Sequence, residues 1–240
     1  MIVRLIAHTP KPERICGVAA KTCRCEYVPN IYDAGVEDSL DSAMESGHFS
    51  VLEHATFTFA VEDISRACSH QLVRHRMASY SQQSQRCVNM EGFEYVIPES
   101  VRECGWRGES IDPIHLTPKT FDMVDEYEAI MKNLQNAYRR FIRDGIPEED
   151  ARYILPMACT TNVIVTMNAR ELLHFIGERT CTRAQWEIRD VAERMLDLAK
   201  EACPQIFSEA GPKCIRLGYC PEKGGCGRCP PKGSSEEVSE

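Results

Sequence analysis

Residues 55–63, ATFTFAVED, alternate, with Phe57, Phe59 and Val61 on one side and Thr56, Thr58 and Ala60 on the other. A period of two places successive side chains on opposite faces of a strand, so the stretch reads as a half-buried β-strand. IVRLIA at 2–7 reads as a first strand, and Lys11-Pro12-Glu13 opens a short helix through Cys23. A second helix covers 35–46 and stops at Gly47. After the alternating strand, Ile64, Ala67, Cys68, Gln71 and Leu72 recur at helical spacing, which predicts a helix over 64–74. FEYVIP at 93–98 reads as a strand stopped by Pro98.

From Thr117 as N-cap and Pro118 as first helical residue, Phe121, Val124, Ile130, Met131, Leu134, Tyr138 and Phe141 trace one face of a long helix ending at Gly145. Pro147-Glu148-Glu149-Asp150 has the acidic first turn of another. The β-branched run Thr160–Thr166 predicts a strand, followed by a helix to about 179 and an amphipathic helix over 184–202. The expected fold is α+β: a mixed or antiparallel sheet flanked by helices, one of them long. Residues 1–210 form the domain, and 211–240, rich in Cys, Gly and Pro, are a flexible appendage.

RHRMASYSQQSQR, residues 74–86, has no sustained period and reads as an irregular loop. Across 64–90 the chain carries Arg66, Arg74, Arg76 and Arg86 and no Asp or Glu, although its net charge is −8. An acidic surface repels nucleic acid and anionic membranes, so any anion site must be local. Guanidinium forks, serine hydroxyls and loop N–H groups together suit a phosphorylated small molecule. Ser84 serves such a site better as a ligand than as a nucleophile, because His75 is the only local base. His75, between two arginines, is expected to stay neutral. No G-x-G-x-x-G or P-loop pattern follows a strand, which excludes those nucleotide sites.

No apolar run approaches the ~20 residues that cross a bilayer, and MIVRLIAH with Arg4 is no export signal. A cytoplasmic protein with no nucleic-acid or membrane partner is expected. Its 13 cysteines then read as reduced thiols or metal ligands. Cys214, Cys220, Cys226 and Cys229, in C-x5-C-x5-C-x2-C spacing, form the only cluster. Four thiolates there could hold zinc, but only one pair has the tight spacing, so no bound metal is expected.

Arg74-His75-Arg76 with Ser79, Ser84 and Arg86 is similar to the R-H-R-x7-S signature of the flavin-dependent thymidylate synthases. Gly47-His48, Glu53-His54, Gln71, Ala151-Arg152, Leu155-Pro156, Asn168-Ala169-Arg170, Arg179 and Ala184-Gln185-Trp186-Glu187 resemble further landmarks of that family, in its order, across residues 2–209. The resemblance implies an FAD-dependent methyltransferase. It would make dTMP from dUMP with 5,10-methylenetetrahydrofolate as carbon donor and NADPH as reductant, in a homotetramer with active sites between subunits.

It also implies roles. Gln71, Arg74, Gln82, Gln83, Ser84, Gln85, Arg86, Arg152 and Arg179 would hold dUMP; Ser50, Arg74, His75, Arg76, Gln82, Asn168, Arg170 and His174 would hold FAD. Arg179, Ser84 and His48 would be catalytic, with Arg179 stabilising charge on the pyrimidine. Arg170 and His174, four apart on a helix, can reach one ligand. Gln82, Ser81 and Arg183 stand where relatives often carry Glu, Asn and His. The alternatives are a non-catalytic nucleotide-binding module and, less compatible with the charge, a nucleic-acid-binding protein using the cysteine tail.

Overall fold

The computed structural model describes residues 1–24, 35–104, 106–111, 118–230 and 232. Its strands are β1 (Ile2–His8), β2 (Thr56–Ser65), β3 (Ala78–Gln82), β4 (Trp106–Ile111), β5 (Pro118–Asp122) and β6 (Thr160–Asn168). Its helices are α1 (Pro12–Thr22), α2 (Val36–Glu45), α3 (Arg66–Leu72), α4 (Glu99–Glu103), α5 (Met123–Arg143), α6 (Glu148–Ala151), α7 (Ala169–Arg179), α8 (Trp186–Ala202), α9 (Pro204–Phe207) and α10 (Lys213–Leu217). The chain divides into two compact units: Met1–Glu62, His70–Ser81 and Val163–Glu240 in one, Asp63–Ser69 and Gln82–Asn162 in the other. The fold is α+β.

A four-stranded sheet has the order β1-β2-β6-β3, with β1 antiparallel to β2. β6 shows the alternation that its β-branched run implies, with Thr161, Val163, Val165 and Met167 buried and Asn162 and Ile164 exposed. In the first unit, Phe57 and Phe59 of β2 are fully buried with Leu172, Phe175 and Ile176 of α7. Each such apolar side chain stabilises the fold by roughly 1.5–3 kcal/mol. Phe57 also meets Phe207 edge-on at 5.4 Å. Gly17 lets α1 close on α2: a Cβ there would lie 2.3 Å from the Val36 carbonyl oxygen.

The second unit has its own core, in which Met90, Phe93, Met131, Tyr138, Ala151 and Cys159 are buried together. α5 spans 21 residues, roughly 30 Å. It ends where Gly145 adopts φ +86°, a left-handed conformation that glycine enters without a Cβ clash.

Four expectations change. The long helix begins at Met123, capped by Asp122, whose Oδ1 accepts from the Val124 N–H at 2.8 Å. Pro118–Asp122 pairs with β4 instead, so those residues are unavailable to the helix; Thr117 lies outside the described residues. FEYVIP makes only one isolated bridge, Tyr95 to Cys159. The helix expected from 64 starts at Arg66, because β2 continues to Ser65 through Asp63 at φ +57°. The Asp63 N–H donates to Asn162 Oδ1 at 3.0 Å, which helps hold this bend. Finally, the arginine motif is not wholly irregular: Ala78–Gln82 is β3.

Candidate active site

His75 is the centre of the site in the first unit. α3 ends at Leu72, and the chain turns so that the imidazole is 7% exposed, edge-on to Phe175 of α7 with centroids 4.9 Å apart. Tyr80 of β3 holds this turn, its hydroxyl shared between the carbonyl oxygens of His75 at 2.7 Å and Leu72 at 2.9 Å. The Arg179 Nε–H, at the end of α7, donates to His75 Nε2 at 3.0 Å. An acceptor Nε2 puts the ring proton on Nδ1, which lies 3.4 Å from Glu171 Oε1.

Burial first, then the charges of Arg179 and His174, hold the His75 pKa down to about 4. The ring is neutral, as its position between arginines implies, so the contact with Glu171 is not an ion pair. Burial also raises the Glu171 carboxyl, and it pushes the Tyr80 hydroxyl up to about 12, with Glu171 adding to that shift.

Arg74 and Arg76, its neighbours in sequence, are exposed and make no ion pair among the described residues. Asn168 caps α7, its Oδ1 accepting from the Glu171 N–H at 2.9 Å. One turn on, His174 is exposed, with its ring 5.7 Å from that of His75. Arg170 pairs with Glu53 of the 3-10 turn Phe49–His54, which also carries Ser50; His48 precedes that turn and is exposed. Gln71 Nε2 donates to Gln185 Oε1 at 3.5 Å, and the same Gln185 oxygen caps α8.

The remaining predicted residues belong to the second unit. Ser84 is exposed, and its hydroxyl accepts from the Arg86 N–H at 3.2 Å. Arg86 Nε meets Glu149 Oε2 at 2.7 Å, and Arg152 Nε donates to the Glu149 carbonyl at 3.0 Å. Gln82 gives its amide to Ser69 Oγ at 2.8 Å and Thr161 Oγ1 at 3.2 Å. The residue that departs from the family pattern thus serves as a donor to two hydroxyls. Gln85 Nε2 lies 3.7 Å from Cys159 Sγ, and the Gln83 N–H donates to the Asn162 carbonyl at 2.9 Å.

Sequence reasoning missed Glu171, Tyr80 and Glu149. The first two touch His75, and Glu149 holds both Arg86 and Arg152. Only Glu149 had a signal, as one of three acids in a helix's first turn; partners of a buried ring require the fold. Among the described residues, His75, Glu171 and His174 are the one group of His, Cys, Asp or Glu side chains close enough to share a metal ion.

The neutral imidazole, the fixed Arg179 fork and the exposed Arg74 and Arg76 can together bind an anionic, planar ligand and hold charge at its edge. Comparison with known proteins agrees with this chemistry. The profile of the family described as "Thymidylate synthase complementing protein" matches residues 4–205. The chain is similar to the flavin-dependent thymidylate synthase of Geobacter sulfurreducens, at 48% identity over 95% of this chain and 94% of the relative. Similar too are those of Nitratidesulfovibrio vulgaris, 42% identical over 95% of both, and Pyrococcus horikoshii, 44% identical over 92% of this chain and 90% of the relative. The chain belongs to the thymidylate synthase complementing protein family.

Proposed function

We propose that this site converts dUMP to dTMP as a flavin-dependent thymidylate synthase, an FAD-dependent methyltransferase. 5,10-Methylenetetrahydrofolate gives the carbon, and NADPH is the reductant. The observation that carries the reading is the 3.0 Å bond from Arg179 to a neutral His75, which fixes a guanidinium without consuming its charge. The family supplies the reaction; this geometry supplies the means.

FAD fits the first unit. In an acidic chain, Arg74 and Arg76 without anionic partners among the described residues suit a pyrophosphate, and His75, His174, Arg170, Asn168 and Ser50 surround the start of α7. Bound FAD supplies hydride transfer. The chain's own part is to bind, orient and screen.

Arg179 lies along the uracil edge and stabilises the negative charge that develops as C5 becomes nucleophilic. Bonded to an acceptor nitrogen, it cannot turn away, and the neutral ring does not compete for the same charge. Gln71 ties the end of α3 to Gln185. In the second unit, Arg86 and Arg152 receive the nucleotide phosphate, and Ser84, with Gln82, Gln83 and Gln85 near it, orients the nucleotide. His48 handles flavin and folate.

The catalytic domain is residues 1–210, with 211–240 appended. The enzyme works as a cytoplasmic homotetramer in which different subunits lend residues to one ligand. No helix among the described residues is long and apolar enough to cross a membrane, in keeping with small-molecule substrates.

The test is to titrate the purified protein with FAD while following its visible spectrum. Tritium release from C5-labelled dUMP is then measured with NADPH and methylenetetrahydrofolate. Flavin uptake with release that depends on Arg179 is expected. Unchanged release by Arg179→Ala would overturn the role given to that residue.

A further inference from the structure

The cysteine tail has no part in the reaction proposed above, yet it folds against the segment that carries Arg179. Within the first unit, a cavity of about 200 Å³ is lined by Cys181, Cys214, Cys220 and Cys226, together with Arg179 and Arg183. Cys181 comes from the turn after α7, Cys214 from α10, and the other two from the turns that follow. Four of the chain's 13 cysteines thus face one space, although 33 residues separate Cys181 from Cys214 in sequence. All four are free thiols, as is a fifth, Cys229.

The rest of the tail does not explain why it folds. Between 211 and 230 only Pro212 and Cys214 are buried, so there is no apolar core. It is tied to the body by the Lys213–Glu178 ion pair, by Arg216 over the Phe49 ring at 5.8 Å, and by bonds from Arg183 Nη1 to the Lys223 carbonyl at 3.0 Å and Glu222 Oε2 at 3.4 Å. Exposed pairs of this kind contribute about 0–1 kcal/mol each. A segment this small needs a covalent or metal staple. The backbone is shaped for one: Gly218, Gly224 and Gly227 take φ of +70°, +68° and +80° around Cys220 and Cys226. Gly225 leaves room for a thiol, since a Cβ there would lie 2.7 Å from Cys220 Sγ. Arg179, Arg183 and Lys213 line the same cavity, and of these Arg183 and Lys213 pair with Glu222 and Glu178, which also line it.

We propose that Cys181, Cys214, Cys220 and Cys226 form a four-thiolate site for a thiophilic metal centre, zinc or an iron–sulfur cluster, that staples the tail to the segment carrying Arg179. Thiolates are the ligands shared by both centres. No three of the sulfurs lie within 4.8 Å of one another. A single zinc, with bonds of about 2.3 Å, would therefore draw the side chains inward. Binding releases four thiol protons and changes no oxidation state of the protein.

The full chain, purified anaerobically, is assayed for metals by mass spectrometry and for acid-labile sulfide. About one zinc per chain without sulfide, or iron with matching sulfide, supports the site and says which centre it holds. Cys181→Ser and Cys220→Ser should each lower retained metal at least tenfold, while Cys23→Ser and Cys229→Ser keep it. Circular dichroism separates metal loss from misfolding. Should the tail variants misfold, cobalt(II) added to metal-free wild-type protein should still give a sulfur-to-cobalt charge-transfer band. The proposal is overturned by a protein that neither retains metal nor takes up zinc or cobalt. Full metal in Cys181→Ser, or a Cys214–Cys229 disulfide in the anaerobic protein, would also overturn it. None of these readouts depends on the reaction assigned above.

Discussion

Arg179 and Arg86 carry the same charge in opposite settings. Arg179, in the first unit, is partly buried at the end of α7 and gives its Nε–H to a buried, neutral histidine. Arg86, in the second, stands on an exposed turn and shares its Nε–H with Glu149, itself on the surface. The first is bonded to a ring buried against Phe175, so a donor is fixed before the ligand arrives. Around the second, solvent screens the charge and an acidic neighbour competes for it. One arrangement suits stabilising a transition state, the other capturing a phosphate.

The strongest test of that contrast is Arg179→Ala, which should lower kcat by about 10²–10³, as expected for loss of a preorganised charge donor. Flavin affinity should fall far less. Arg179→Lys should rescue little, because lysine lacks the planar fork that serves His75 and a ligand at once. Tritium release and flavin titration measure the two effects separately. A loss confined to KM would place Arg179 with Arg86 as a binding group.

Next comes pH. A histidine held near 4 rather than its usual 6.5 binds fewer protons folded than unfolded, so its contribution is full above about 6.5 and is lost as pH falls toward 4. The size is on the order of 3 kcal/mol. Glu171, raised by burial, acts in the opposite direction, with its stabilisation lost as pH rises through its folded pKa. Denaturant melts between pH 7 and 4 should therefore be steeper in the wild type than in His75→Asn. Equal slopes would mean that the ring is charged in the fold. Smaller again is Tyr80→Phe, which removes the hydroxyl bonding the Leu72 and His75 carbonyls and should cost about 1–3 kcal/mol. Thermal melts would show it, with kcat falling only as the His75 turn loosens.

What was legible in the sequence follows the same division. β2 showed its period and β6 its β-branched run because each has one apolar face, and Phe57 and Val165 are fully buried as those signals require. β3 did not: Ala78, Ser79, Tyr80, Ser81 and Gln82 alternate in burial, but both faces are polar, so no hydrophobic period survives. The start of α5 was misread because Pro118, a good first helical residue by local rules, is held in a strand by pairing with Ile111. Arg152, Arg170 and Arg179 were named only by the resemblance, whereas Arg74, Arg76 and Arg86 were visible as a charge excess. Glu171 was not, since nothing local says that a carboxyl on α7 will face a ring 96 positions earlier.

Glu149 offers the smallest and most discriminating change. It pairs with Arg86 on the surface and accepts from Arg152 through its carbonyl. Glu149→Gln removes only the first interaction, since the carbonyl remains. An exposed pair contributes about 0–1 kcal/mol, so stability should drop by no more than that. If Arg86 receives the nucleotide phosphate as proposed, that phosphate must displace the carboxylate, and without the carboxylate the guanidinium is already free. dUMP should therefore bind about two- to fivefold more tightly to Glu149→Gln, by calorimetry at fixed salt, and the gain should shrink as salt is raised. Weaker binding would mean that Glu149 aims Arg86 rather than competing for it, and that the second unit, like the first, holds its cation in place before the ligand comes.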